Sequence, residues 1–154
     1  MLRLASYDIV FQEVPGEVTL ALNISGCPNR CEGCHSPHLR DDIGEFLDDR
    51  LMDGLLATYG TSVTCICFMG GDADPCEVER LALGVREKSN GRLKTGWYSG
   101  KPNFPAGCSI QSFDYVKLGP YISACGGLRS PGTNQRMYRI VGEDKVDITA
   151  YFQK

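Results

Sequence analysis

Apolar positions along this chain recur with two different periods, and the switching between them predicts an α/β protein. Residues 1–17 read as an entry segment closing in the turn-like Glu13-Val14-Pro15-Gly16-Glu17. Residues 18–24 alternate β-formers and predict a first strand. Asp42 as N-cap with Glu45 three residues on then predicts a helix start. Leu47, Leu51, Leu55 and Tyr59, widened by Met52 and Leu56, carry its apolar stripe to Gly60. Residues 62–69 form a near-continuous apolar run, suited to a strand buried on both faces. Asp74, Pro75 and Glu77 make a second helix entry, with Val78, Leu81, Ala82 and Val85 along one face.

The rest of the chain is strand and loop. Residues 92–100 predict a third strand that sends Trp97 and Tyr98 to opposite faces. Residues 101–112 read as a Pro/Gly loop containing Cys108. Residues 113–121 predict a fourth short strand, whose Lys117 is as readily a solvated residue as a functional one. Residues 137–141, 142–145 and 146–149 read as strand, turn and strand. No repeat, low-complexity run or linker interrupts residues 1–154, which read as a single domain.

Composition narrows the function classes. Hydrophobic residues at 42% and charged residues at 23% are ordinary globular values. A net charge of -3 gives no basic footprint, so no nucleic-acid partner is expected. No apolar run is long enough for a membrane helix, and the N-terminus lacks the apolar core of a signal peptide. A cytoplasmic location is the expectation. Eight cysteines in such a setting point to metal binding or catalysis rather than to a disulfide framework. Two histidines, His35 and His38, are too few for a three-histidine metal site.

The chemistry concentrates in Ser25-Gly26-Cys27-Pro28-Asn29-Arg30-Cys31-Glu32-Gly33-Cys34-His35. Cys27, Cys31 and Cys34 stand at spacing C-x3-C-x2-C directly after the first predicted strand. Iron–sulfur clusters are held by thiolates, usually four. Three leave one iron open to a small molecule, much as a catalytic zinc keeps an open position. Spacing alone equally allows a zinc knuckle completed by a histidine or a distant cysteine. Cys65 and Cys67 share one strand face and read as small core hydrophobes. Cys76, in the first turn of the second helix, Cys108 and Cys125 are also read as structural.

The cysteine motif resembles the signature of radical S-adenosylmethionine (SAM) enzymes. The wider wording, Ser25-Gly26-Cys27 before it and Gly33-Cys34-His35 after it, resembles the activating proteins of anaerobic ribonucleotide reductases. Gly33 departs from the superfamily, which places an aromatic residue before the third cysteine, and agrees with that branch. Gly70-Gly71-Asp72, at the end of the second predicted strand, is similar to the family's Gly-Gly-Glu motif. Thr95-Gly96-Trp97-Tyr98-Ser99-Gly100 and the segment 113–121 resemble further family strands. The stretch 128–136, ending in Asn134-Gln135-Arg136, resembles the branch's Gly-Ser-x-Asn-Gln-Arg segment.

The resemblance covers nearly the whole chain and implies a reduced, open partial (βα) barrel with a mainly parallel sheet. It implies one [4Fe-4S] cluster on Cys27, Cys31 and Cys34, with SAM chelating the open iron. Gly33, Cys34, His35, Gly70, Gly71 and Asp72 are implied as cofactor-binding, and Asn134 and Arg136 as facing the cavity or a partner. A flavodoxin-like or other low-potential donor would supply an electron that cleaves SAM to a 5′-deoxyadenosyl radical. That radical would take hydrogen from a glycine near the C-terminus of the partner reductase. No catalytic residue beyond the cluster ligands is implied. The rival readings are an activase of another glycyl-radical enzyme, a small-molecule radical SAM enzyme, and a zinc-binding interaction module.

Overall fold

Residues 3–10, read from sequence as part of an entry segment, form a strand. In the computed structural model, which describes residues 2–28 and 43–153, β1 (Arg3–Val10) pairs antiparallel with β2 (Thr19–Ile24). A register shift between Leu4 and Ser6 breaks the alternation of β1, which is why its period is invisible in the sequence. The short β3 (Glu45–Phe46) then pairs with the other side of β1. Helix α1 (Asp49–Tyr59) therefore starts later than its apparent N-terminal signal. Asp48 is the actual cap, its carboxylate accepting from the Leu51 amide at 2.9 Å. Leu47 before the cap and Met52 inside the helix are both buried in the same core, a hydrophobic staple.

β4 (Cys65–Met69) follows α1, and α2 (Pro75–Lys88) follows β4 with the expected cap, Asp74 accepting from Glu77 N. β5 (Lys94–Tyr98) and β6 (Tyr115–Leu118) are joined by a loop carrying only a short 3-10 turn, Ile110–Ser112. β7 (Arg136–Val141) and β8 (Asp144–Asp147) form the expected terminal hairpin, with a second 3-10 turn at Thr149–Phe152.

The eight strands of the described residues make one mixed sheet in the order β3-β1-β2-β4-β5-β6-β7-β8. Only the central run β2-β4-β5-β6 is parallel; the four remaining pairings are antiparallel. The expected partial (βα) barrel with a mainly parallel sheet is therefore incorrect. A barrel unit needs a helix behind each strand, and only two α-helices occur among the described residues. Pro102, Pro105 and Gly107 keep the third crossover from becoming helical, and β7 then turns back antiparallel onto β6.

Two apolar layers cover the central strands. On one side Leu20, Leu22, Ile66, Phe68, Trp97 and Val116 pack with Met52, Leu55, Val78, Leu81 and Val85 of the helices. On the other, Cys65, Cys67, Tyr115 and Met137 pack with Val14 and Ile148. Trp97 and Tyr98 fall in opposite layers, as their positions along β5 require. Burial drives the Cys65 and Cys67 thiols well above their ordinary range, so both sit in the core as neutral hydrophobes. Among the described residues no helix is long and apolar enough to cross a membrane.

Glu17 pins the segment before β2 to the lower edge of the sheet. It accepts from Thr64 Oγ1 at 2.7 Å, Lys94 Nζ at 3.0 Å and the Tyr115 hydroxyl at 2.8 Å, preceding or opening β4, β5 and β6. Burial raises its carboxyl, but the three hydrogen bonds and the Lys94 charge together hold it below its ordinary 4.5. A depressed carboxyl adds stability that is fully present above the unfolded value and lost as pH falls through the folded one. Glu17→Gln is therefore expected to destabilise by about 2 kcal/mol near neutrality and by much less at pH 3. Urea unfolding at both pH values reads the difference; equal losses at both would show that the charge contributes nothing.

Candidate functional site

The four parallel strands all point their C-terminal ends to one edge, where open α/β sheets bind ligands. Ser25-Gly26-Cys27 leaves β2 there, Gly70-Gly71-Asp72 leaves β4, Ser99-Gly100 leaves β5 and Gly119-Pro120 leaves β6. Because β2 and β4 are neighbours, the first cysteine and the Gly-Gly-Asp turn occupy adjacent strand ends.

Ser25 fixes the departure of the cysteine segment. Its amide donates to Arg3 O at 3.0 Å, and its hydroxyl donates to Ile43 O at 2.5 Å and accepts from Ile43 N at 3.1 Å. The chain thus leaves this edge at Ser25 and is tied back to the same side chain at Ile43. Gly26, at φ +72°, turns the chain into Cys27, whose half-buried thiol is not in a disulfide. Cys31, Gly33, Cys34, His35 and His38 lie outside the described residues, as does Asp42. Among the described residues no cluster of histidine, cysteine and carboxylate side chains forms a metal site.

The two glycines of the β4 turn are required by their backbone and by their neighbours. Gly70 (φ +108°) donates to Tyr98 O at 3.0 Å and accepts from Trp97 Nε1 at 2.7 Å, while a Cβ would stand 3.1 Å from Ile24 O. Gly71 (φ +93°) faces Val78, whose Cγ2 would lie 2.5 Å from an added Cβ. The missing side chain of Gly71 accordingly serves the close approach of α2. It leaves no cradle for a ligand at that atom.

Asp72 is the hub of the edge. Buried to 9% exposure, it accepts from Ser99 Oγ at 2.6 Å and from Gly100 N at 2.8 Å. Its carboxylate thereby latches the end of β4 to the end of β5. Ser99 passes the connection on, its amide donating to Lys117 O at 2.9 Å and its hydroxyl accepting from Lys101 N at 3.1 Å.

Lys117 is not a solvated strand residue. It is buried at 8% exposure, donating from Nζ to Ser99 O at 3.1 Å and to Gly119 O at 3.0 Å, 5.6 Å from the centre of the Tyr98 ring. The sequence carried a signal for this, since Lys117 lies two positions from Tyr115 on the same face of β6. What it did not show was that this face is covered.

Asn134 and Arg136 part company. Asn134 reaches the site's rim, donating from Nδ2 to Pro120 O at 3.0 Å, while its buried Oδ1 has no donor among the described residues. Gln135, between them, is buried beside Gly119 with Nε2 3.5 Å from its carbonyl. Arg136 opens β7 as an exposed residue and makes a 3.5 Å ion pair with Asp147 of β8. No family model, curated protein or solved structure matches this chain.

Proposed function

We propose that this chain is an iron–sulfur radical SAM activase that installs a glycyl radical on an anaerobic ribonucleotide reductase. One observation carries the reading: the C-x3-C-x2-C segment departs from a parallel strand whose neighbour ends in Gly70-Gly71-Asp72. The described residues fit such a site. A half-buried thiol, a carboxylate-latched turn, a buried lysine and an orphaned amide oxygen line one edge.

Cys27, Cys31 and Cys34 would hold the [4Fe-4S] cluster. With SAM bound, the reduced cluster supplies one-electron cleavage of the sulfonium, the source of the hydrogen-abstracting species. Everything else falls to the chain's own groups. Gly70 lets the β4 turn lie close against Ile24, with its own amide and carbonyl held by Tyr98 O and Trp97 Nε1. Asp72 holds that turn and the β5 end at one separation. Lys117 ties the ends of β5 and β6 together, donating from Nζ to Ser99 O and to Gly119 O. The Asn134 Oδ1 acceptor offers a partner to a ligand donor at the rim. The sheet order runs from β3 to β8 without closing, leaving room for a loop of a macromolecular substrate.

Electron paramagnetic resonance on anaerobic, iron-reconstituted, dithionite-reduced protein tests the assignment. A [4Fe-4S] signal that changes when SAM is added is expected. A glycyl radical should follow only on mixing with an anaerobic ribonucleotide reductase. A SAM-responsive cluster that leaves the reductase unmodified would move the protein to another radical SAM activity. A silent sample carrying stoichiometric zinc would overturn the reading altogether.

A further inference from the structure

We propose that Cys76 and Cys108 are a redox-responsive thiol pair whose disulfide staples the loop after β5 to the start of α2. This inference does not rest on the activase reading. Five cysteines lie outside the C-x3-C-x2-C motif, and these two sit on the segments that Glu79 holds together. Cys65 and Cys67 are sealed in the core, whereas Cys76 is exposed in the first turn of α2, and Cys108 is half-exposed beside Ser109, whose amide donates to Glu79 one turn further along that helix.

Their proximity is built by the surrounding backbone. Glu79, three residues after Cys76 and so on the same side of α2, accepts from Ser109 N at 2.6 Å and from Ser112 Oγ at 2.9 Å. Ser109 is the neighbour of Cys108 in sequence, and Arg86 holds the same loop two turns further on through Gln111 O at 2.9 Å. One end of the pair thus rides on a capped helix and the other on a loop clamped to that helix. A bond between the sulfurs would join two segments that the Glu79 contacts already hold together.

The thiols are unequal. Burial first, then the charge of Glu79 and the contact with Cys76, raise the Cys108 thiol, so it is held protonated near neutrality. The more exposed Cys76 is the thiol that meets an external oxidant. With a small-molecule disulfide, the Cys76 thiolate attacks one sulfur and expels the other half as a thiolate. Cys108 then loses its proton and attacks the Cys76 sulfur, forming the internal bond and releasing the second half. Two protein thiols are oxidised, one external disulfide is reduced to two thiols, and the two protons leave on them. Cys76 lies four residues after Asp72 and Cys108 eight after Gly100, so the staple joins the two segments that leave the Asp72 latch.

The test is oxidation of the full chain with oxidised glutathione over a range of glutathione ratios, alkylation, and peptide mapping without reduction. The result expected is a Cys76–Cys108 linked peptide that forms before any other pair. Melting of the oxidised protein should rise by about 5–10 °C and fall back on addition of dithiothreitol. Cys108→Ser should instead accumulate a stable glutathione adduct on Cys76, a readout that no merely structural role predicts. Separate alkylation of Cys76 and Cys108 under conditions that oxidise other cysteines would overturn the proposal, as would an unlinked adduct on each in the unsubstituted chain.

Discussion

Cys27→Ala is expected to abolish reductive SAM cleavage while leaving the fold intact. Changes to groups that hydrogen-bond a metal's ligands already cost roughly 10–100-fold, so removal of one of the three proposed cluster ligands should exceed about 100-fold. The fold should survive because Cys27 lies beyond the end of β2, outside both apolar layers, and the Ser25–Ile43 tie does not involve its side chain. The measurement is 5′-deoxyadenosine formed per chain under dithionite, set beside the melting temperature. A variant with normal turnover would refute the cluster assignment. One that fails to melt cooperatively would show instead that Cys27 is a structural residue.

Asp72→Ala is expected to damage both stability and activity. The substitution strands the buried Ser99 hydroxyl and the half-buried Gly100 amide, and hydrogen bonds to a charged group contribute about 1.5–3 kcal/mol each. A loss of about 3 kcal/mol is the central expectation, read by urea unfolding. Asp72→Asn is the sharper probe. Its amide oxygen can keep one of the two donors, but its NH2 faces the other as a second donor. It should destabilise by about half as much and lower SAM cleavage about tenfold by loosening the β4 end against the β5 end. Unchanged stability in Asp72→Ala would mean that the latch closes nothing; normal cleavage in Asp72→Asn would remove it from the site.

The elements that were legible were those written in local chemistry. α2 is announced by Asp74, Pro75 and Glu77, and its buried face of Val78, Leu81, Ala82 and Val85 follows from a helical period alone. β4 is announced by an apolar run, and the β7–β8 hairpin by Gly142 between β-formers. The start of α1 misled because Asp42 with Glu45 mimics a cap, while the working cap, Asp48, lies six residues on. β1 stayed hidden because its bulge disrupts a period-2 pattern that is the strand's main local signal. The cysteine motif and the Gly-Gly-Asp turn were legible as chemistry, since residue type and spacing alone limit what can ligate a metal.

The sequence by itself set the local periods, the caps, the breaker-rich third crossover and the identity of the candidate ligands. Strand direction and order were settled by pairing over long separations, which made the sheet mixed where local alternation of strand and helix suggested a mainly parallel one. The same long-range pairing brought Ser99 to Asp72, buried Lys117 under a second layer and brought the loop after β5 against α2. A residue's neighbours across a sheet are chosen by hydrogen-bond register and by which faces are covered. Neither quantity is carried by a window of consecutive residues.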